Sequence, residues 1–285
     1  VVPEINPSKP SRFRTQRIIK TILDCKVTSS FGSPVLWQKI SNFCKSRSIK
    51  IYSLKRIMIA GASVPQSLIK ELKEYIPNCE IYTPYGATEA LPVTSINGSD
   101  ILKIQVGKYS NSRMGNCVGR KIGDTDLKII KVKNEEIRDI KDIEECELEA
   151  IGEIIVKGKV VTSSYDNLEK ANRDSKIYGD NLVWHRMGDL GWLDSNGLLW
   201  FCGRKVERVT IEGVNYETVF CESIFNEVDF VSRSALISIN DVLPAIVIEP
   251  RKGFYPKNKS QEELYVSKLK LLTHKENMVK GINIF

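Results

Sequence analysis

Three short segments of the sequence concentrate side chains that can bind phosphates, hydroxyls and metal ions. They are residues 82–89 (YTPYGATE), 186–191 (RMGDLG) and 201–205 (FCGRK). Between them they offer an aromatic ring, a hydroxyl, two carboxylates and a guanidinium. An aromatic face suits adenine, a hydroxyl suits a phosphate oxygen, carboxylates suit Mg²⁺ or a ribose diol, and a guanidinium suits phosphate or ribose. Together the segments predict a site for ATP or AMP with Mg²⁺.

The first segment contains the predicted catalytic pair, Thr88 and Glu89. The Thr88 hydroxyl is expected to contact phosphate, and the Glu89 carboxylate is the expected Mg²⁺ ligand. Tyr85 stands beside Gly86, and glycine lets a ligand approach the backbone closely. Each has an ordinary alternative, since Tyr85 can be a core aromatic and Thr88 with Glu89 can begin a helix. The presence of the other two segments favours the functional interpretation.

The other two segments supply Asp189 and Arg204. Asp189 can be a simple turn residue between two glycines, but a carboxylate also accepts paired hydrogen bonds from the vicinal hydroxyls of ribose. Arg204 can be a surface charge, but its planar fork suits a bidentate phosphate or diol contact. His185 is more often a structural histidine than a base in such a strand, so it is not assigned to the site.

Composition places the chain among globular proteins that form substantial cores. It has 285 residues, 42% of them apolar, and a formal net charge of +7. No apolar run approaches the roughly 18 residues that span a bilayer, and we expect a soluble cytoplasmic protein. The lysines are scattered, which argues against nucleic acid as a partner. The seven cysteines are widely spread without a Cys-x-x-Cys pair, which argues against a zinc site and a disulfide framework.

The first half of the sequence has the pattern of a parallel sheet with helices. Ser33 before Pro34 predicts a helix start, and the apolar run 57–60 predicts a strand that ends in the turn Gly61–Ser63. A second strand over 79–82 is predicted to end in a glycine-bearing turn at Tyr85 and Gly86. Because ligands bind beyond the carboxyl ends of parallel strands, both turns are expected to border the site.

The second half changes character twice. Residues 118–161 predict a small β-rich subdomain, followed by strands over 182–184 and 198–201 that flank a turn at Asp189 and a hairpin turn over 194–197. Past residue 204 the order strand, helix, strand, strand, helix predicts a small α+β domain. We therefore predict domains at 1–203 and 204–285.

The three segments 82–89, 186–191 and 201–205 together resemble those of the superfamily of adenylate-forming enzymes. This superfamily includes acyl-CoA synthetases, peptide-synthetase adenylation domains and luciferases. The resemblance implies an α/β fold with a parallel-sheet subdomain and a small β-rich subdomain, followed by a small α+β lid domain. It implies ATP or AMP and Mg²⁺ as cofactors. The cofactor-binding residues that it implies are Gly61, Ala62, Ser63, Tyr85, Gly86, Ala87, Thr88, Asp189 and Arg204.

Several runs are closer to one branch, the β-lactone synthetases of olefin biosynthesis. They include residues 83–92 (TPYGATEALP), 184–191 (WHRMGDLG) and 199–205 (LWFCGRK), where Met187 replaces the threonine usual in the superfamily. The family's phosphate loop has no counterpart between Val1 and Ile59, and its catalytic lysine would lie beyond Phe285. We therefore expect a fragment that holds the large domain's later part and an incomplete lid, and that is inactive alone.

The resemblance implies a two-step reaction. ATP and a fatty acid or 3-hydroxy fatty acid give an acyl-adenylate, and the substrate's own hydroxyl then closes a β-lactone with release of AMP. The expected partners are this small-molecule substrate and other enzymes of lipid biosynthesis. An acyl-CoA synthetase, in which a thiol attacks the adenylate, and a nucleotide-binding module without catalysis are the alternatives.

Overall fold

The computed structural model describes residues 1, 13–104, 115–179, 182–275 and 279–285, without the side chains of 274 and 275. Contacts between residues divide the chain into two compact units. The first comprises Val1–Lys108, Cys117–Asp126 and Gly158–Thr162, and the second comprises Tyr109–Asn116, Leu127–Lys157 and Ser163–Phe285. The predicted boundary between residues 203 and 204 stays a prediction.

Five strands organise the first unit, in the order β1-β2-β3-β4-β5. β1, β2 and β3 are parallel, whereas β4 is antiparallel to both β3 and β5. The elements are α1 (Thr15–Asp24), β1 (Ser29–Gly32), α2 (Pro34–Arg47), β2 (Arg56–Ile59), α3 (Gln66–Tyr75), β3 (Glu80–Ala87), β4 (Ala90–Asn97), α4 (Gly98–Ile104) and β5 (Asn116–Lys121).

The predicted start of α2 is confirmed. The Ser33 hydroxyl accepts a hydrogen bond from the Leu36 N–H at 3.3 Å, and Pro34 occupies the first helical position, where its missing N–H costs nothing. Apolar residues of α2 and α3 at spacings of three and four then pack on alternate residues of the strands. Trp37, Ile40, Ile57 and Leu68 are among the buried side chains of this core.

In the second unit, four strands have the order β10-β9-β7-β6, and β8 pairs with β9. β9 is antiparallel to β7, β8 and β10. The predicted hairpin turn over 194–197 is confirmed, because the Asp194 carboxylate accepts the N–H groups of Asn196 and Leu198 at 2.9 and 2.8 Å. The elements are β6 (Asp126–Ile130), β7 (Gly152–Lys157), α5 (Glu169–Ser175), β8 (Lys176–Ile177), β9 (Trp184–Leu193) and β10 (Leu199–Arg204).

The rest of this unit contains the predicted strand, helix, strand, strand and helix in that order, together with two strands that were not predicted, β12 and β15. Its core contains Phe220, Phe225, Leu236, Ile246 and Leu269. β13 is antiparallel to β14, which is parallel to β15. The elements are β11 (Val209–Ile211), β12 (Val214–Tyr216), α6 (Thr218–Asn226), β13 (Val231–Ile239), β14 (Leu243–Pro250), α7 (Lys259–Lys275) and β15 (Asn283–Ile284).

Candidate functional site

The carboxyl ends of β1, β2 and β3 lie at one edge of the first unit's sheet. Gly32 is in register with Ile59, and Met58 with Tyr82, so the chain beyond Ile59 and beyond Tyr82 emerges on the same side. The Ala60 N–H donates to the Gly32 carbonyl at 3.2 Å. We call this border of the sheet the carboxyl edge.

The predicted adenine-side turn, Gly61–Ser63, lies at the carboxyl edge directly after β2. All three residues are exposed. Gly61 has φ +93°, a backbone conformation that glycine adopts without strain, and a Cβ built on it would meet no other atom within 4 Å. The exposed backbone leaves room for a flat group above the turn.

The strand β3 passes through the predicted turn at Tyr85 and Gly86, so that part of the prediction is wrong. Tyr85 is in register with Thr94 on β4 and Ala87 with Ala90, and this pairing keeps the chain extended. Gly86 lies where the register shifts, and a Cβ there would overlap the Ala90 carbonyl oxygen. Glycine is therefore required by the close approach of β4, which sequence alone does not reveal.

Thr88 and Glu89 form the two-residue turn of the β3–β4 hairpin and do not begin a helix. The Thr88 side chain is exposed and Glu89 is half-buried. The Glu89 carbonyl accepts the Thr162 N–H at 2.8 Å, and Ala90 forms an antiparallel bridge with Val161. These contacts fix the backbone of the turn and present the Thr88 hydroxyl at the surface.

Glu89 fits the requirements of a magnesium ion that arrives with a nucleotide. Mg²⁺ usually keeps several waters and takes one or two carboxylates together with substrate phosphates. Over the described ranges, no group of three or more His, Cys, Asp or Glu side chains could hold a metal ion. The half-buried carboxylate of Glu89 is of the ligand type that such an ion takes.

Asp189 lies inside β9, so the turn predicted around it is wrong. Gly188 has φ +65°, and opposite it the β7–β9 register shifts between Glu153 and Ile155. The irregularity is thus a bulge within a ten-residue strand. Gly188 supplies the positive φ that the bulge needs, and glycines in this position had predicted a turn. The Asp189 side chain is only 6% exposed.

Arg204 is directly opposite Asp189 on the neighbouring strand β10. Its Nη1 donates to Asp189 Oδ1 at 2.8 Å and to the Met187 carbonyl at 3.3 Å. The two residues predicted to bind ribose or phosphate are therefore in contact with each other.

A buried charge cluster beside this pair was not predicted. Glu153 on β7 accepts from Arg186 Nε at 3.1 Å and Nη2 at 2.7 Å, and from Lys205 Nζ at 3.2 Å. Arg186 also donates to the carbonyls of Lys133, Glu135 and Asp174, and Lys205 to that of Lys133. The only signal in the sequence is a glutamate inside an otherwise apolar strand.

Buried groups near the candidate residues have structural contacts. The ring of His185 is buried, with Nδ1 3.2 Å from the Ser175 carbonyl oxygen. Burial raises the pKa of the Cys202 and Cys221 thiols to about 12, which keeps them protonated and unreactive. None of the seven cysteines, all of which lie within the described residues, forms a disulfide. Where the structure describes the chain, it contains no helix long and apolar enough to cross a membrane.

The family model for AMP-binding enzymes matches residues 5–166, which is more than half of the chain. The chain belongs to the AMP-binding enzyme family. Its segment 82–89 and the carboxyl edge of the first unit lie within the matched region. Family membership confirms the resemblance of the chain to adenylate-forming enzymes.

Curated relatives extend the similarity past the matched region. The chain is 32% identical over 263 residues to the olefin β-lactone synthetase of Stenotrophomonas maltophilia, covering 89% of this chain and 46% of that protein. The enzyme of the same name from Xanthomonas campestris is 31% identical over the same shares. This chain spans about half the length of these curated relatives.

Among solved structures, O-succinylbenzoate coenzyme A synthetase from Bacillus subtilis, in complex with ATP and magnesium ion, superposes with a TM-score of 0.71. The identity is 19%, and the match covers 96% of this chain and 51% of that one. At this identity the likeness concerns the fold alone. It confirms the predicted α/β fold of an adenylate-forming enzyme.

Proposed function

We propose that this chain supplies the adenine, ribose and magnesium contacts of an ATP-dependent ligase. The ligase activates a fatty or 3-hydroxy fatty acid as an acyl-adenylate and then forms a β-lactone with release of AMP. The observation that carries the proposal is the β3–β4 hairpin, which continues past the carboxyl edge and ends in the exposed Thr88 and the half-buried Glu89. The two olefin β-lactone synthetase relatives support the choice of product.

Each candidate residue has a role in the first step. The Tyr85 ring packs on adenine, the Thr88 hydroxyl donates to a phosphate oxygen, and Glu89 binds Mg²⁺. Mg²⁺, when bound, neutralises charge on the phosphates. Asp189 accepts from the ribose hydroxyls, while Arg204 orients that carboxylate. The substrate carboxylate attacks the α-phosphorus, forming the mixed anhydride and releasing pyrophosphate.

The second step needs no second substrate. The oxygen of the 3-hydroxyl group attacks the activated carbonyl, the bond to AMP breaks, and the hydroxyl proton passes to solvent or a base. Because both reacting groups belong to one molecule, the protein needs only to hold them close together. Met187, whose carbonyl accepts from Arg204, replaces the threonine usual in the superfamily.

The test uses a full-length protein that contains this chain, with ATP, Mg²⁺ and a 2-alkyl-3-hydroxy fatty acid but no coenzyme A. We expect AMP and a β-lactone, identified by mass spectrometry or NMR. An acyl-adenylate that accumulates until coenzyme A converts it to a thioester would replace the lactone assignment by an acyl-CoA synthetase. Nucleotide binding without pyrophosphate release would indicate a module that lacks catalysis.

A further inference from the structure

Although the lysines are scattered along the chain as a whole, the positive charge of the first unit is concentrated in one segment. Residues 13–56 contain ten lysines and arginines and a single acidic residue, Asp24. All ten cationic residues are exposed, and Asp24 forms an ion pair with Lys20 at 2.5 Å. Residues 57–104 instead contain three lysines and five acidic residues. The excess charge is thus a local property of the segment that forms α1, β1, α2 and the start of β2.

The fold gathers six of these cations at the amino ends of β1 and β2. The loop that leads into β1 and the loop that leads into β2 are joined, because the Thr28 carbonyl accepts the N–H groups of Lys55 at 2.7 Å and Arg56 at 3.1 Å. We call this border the basic edge. Its cations are Lys26, Lys45, Arg47, Lys50, Lys55 and Arg56.

Local structure accounts for only some of the six cations at the basic edge. Lys45 and Arg47 are in the last turn of α2, where cations favourably face the helix dipole. Glu80, at the start of β3, is in register with Arg56 and is an acidic residue at the same border of the sheet. Lys26, Lys50 and Lys55 are exposed loop residues with no acidic partner among the ion pairs of the described residues.

Two exposed side chains with apolar surface belong to the segments that carry these cations. Leu23 at the end of α1 is 43% exposed, and Tyr52 in the loop before β2 is 57% exposed. Lys55 Nζ donates to the Tyr52 carbonyl at 3.4 Å, which keeps the ring and the cation in one loop. Tyrosine and lysine are side chains that favour the interface between water and lipid.

We propose that the basic edge docks the protein on an anionic phospholipid surface. Each lysine or arginine near such a surface raises the affinity roughly fivefold, and Leu23 with Tyr52 adds apolar contact that a nucleic acid backbone would not use. The basic edge lies at the opposite ends of the parallel strands from the carboxyl edge. Docking therefore leaves Gly61, Tyr85 and Thr88 facing away from the lipid. This proposal goes beyond the proposed reaction and does not depend on it.

The test measures sedimentation of the full-length protein with vesicles of phosphatidylcholine alone and with vesicles that also contain phosphatidylserine. We expect binding to the anionic vesicles only, weakening as salt is raised. The double variant Lys50→Glu with Lys55→Glu should bind at least about tenfold more weakly. The control, Lys252→Glu with Lys257→Glu, makes the same change in net charge at exposed positions of the second unit and should bind like the parent.

The neutral double variant Lys50→Gln with Lys55→Gln should show an intermediate loss of binding to the anionic vesicles. It keeps the proposal testable if the reversed-charge variant does not fold. Equal losses in the edge and control variants would overturn the proposal, since they would show a response to net charge alone. Equal binding of the parent to both kinds of vesicle would also overturn the proposal. Preferential binding to a single-stranded oligonucleotide, lost in the edge variant, would replace the lipid by nucleic acid.

Discussion

Asp189 combines burial with a cationic partner, and both features bear on how it can serve a nucleotide. A buried carboxylate is costly unless it is paired, and the guanidinium of Arg204 provides the pair at 2.8 Å. The same contact restricts where the carboxylate points. In the proposed role, the carboxylate is thus oriented before a ribose hydroxyl arrives, which reduces the entropy lost on binding.

We expect Asp189→Asn in a full-length protein to weaken use of ATP more than binding of the fatty acid. The substitution leaves the ribose hydroxyls and Arg204 without their charged acceptor, at a cost of about 1–3 kcal/mol. Steady-state kinetics with ATP and with the acid varied separately measure the effect. Asp142→Asn, at an exposed position of the same unit, is the control. Unchanged dependence on ATP in a folded variant would show that Asp189 has a structural role only.

The sequence predicts which side chains have chemistry suited to a nucleotide, but not which contacts hold them in place. The side-chain types of Tyr85, Thr88 and Glu89 indicate the site, and the parallel strands predict the carboxyl edge. Gly86 is fixed by the close approach of Ala90, and Asp189 by its register with Arg204. These constraints come from strand pairing, which local sequence does not specify.

At the scale of elements, β7, β9 and the chain after β10 are joined by the cluster of Glu153, Arg186 and Lys205. The side chains of Arg186 and Glu153 are 3% and 1% exposed. The cluster anchors the residue that follows Arg204 to the middle of the sheet. It therefore positions Arg204 from one side while Asp189 and Met187 hold it from the other.

Removing one partner of this cluster should be strongly destabilising. We expect Glu153→Ala to lower the free energy of unfolding by about 3–5 kcal/mol, since it leaves the buried Arg186 and the half-buried Lys205 without this carboxylate. Lys205→Met should cost less, because it retains the aliphatic stem and Arg186 still pairs with Glu153. Urea unfolding followed by circular dichroism compares them, with Lys141→Met as an exposed control. A Glu153→Ala variant as stable as the parent would contradict the assignment.

Glu222 on α6 should make stability depend on pH. Burial raises the pKa of its carboxyl, the negative charge of Glu207 raises it further, and the hydrogen bond from the Leu236 N–H opposes both. The folded protein therefore holds this proton more tightly than the unfolded chain, so the carboxylate destabilises the fold at neutral pH. The penalty fades as pH falls through the raised pKa.

We expect Glu222→Gln to raise the free energy of unfolding at neutral pH, because the amide oxygen can still accept from Leu236 without a charge. The gain should shrink at mildly acidic pH, where the parent is protonated. Urea midpoints at the two pH values give the comparison. Glu227→Gln, exposed at the end of the same helix, should show no such pattern. A gain that is equal at both pH values would refute the linkage.

Elements with strong local signals were predicted well. Ser33 and Pro34 marked the start of α2, and the segment 194–197 marked the β9–β10 turn, because both structures are made by neighbouring residues. The turn predicted at Asp189 was wrong because glycine with positive φ occurs in bulges as well as turns. The cluster at Glu153 joins residues 33 and 52 positions apart, a distance at which sequence periodicity carries no information.

For the whole molecule, the resemblance implies that residues 1–285 contain only some of the groups that act on ATP. We expect a protein made of these residues alone to show no substrate-dependent pyrophosphate exchange, since the phosphate loop and lysine that stabilise developing charge are not among them. A full-length protein is the positive control. Exchange by residues 1–285 alone would show that the residues proposed here are sufficient for adenylation.

Each unit contains buried thiols whose alkylation rates can report how often that unit opens. In the first unit, burial raises the pKa of Cys44 and Cys79 to about 11, while Cys25 is exposed. In the second unit, Cys202 and Cys221 are buried. Only an accessible thiolate is alkylated quickly. The four buried cysteines (Cys44, Cys79, Cys202 and Cys221) therefore react only when their own unit opens. Timed alkylation and peptide mass spectrometry can therefore give separate opening rates for the two units in one sample, without any introduced label.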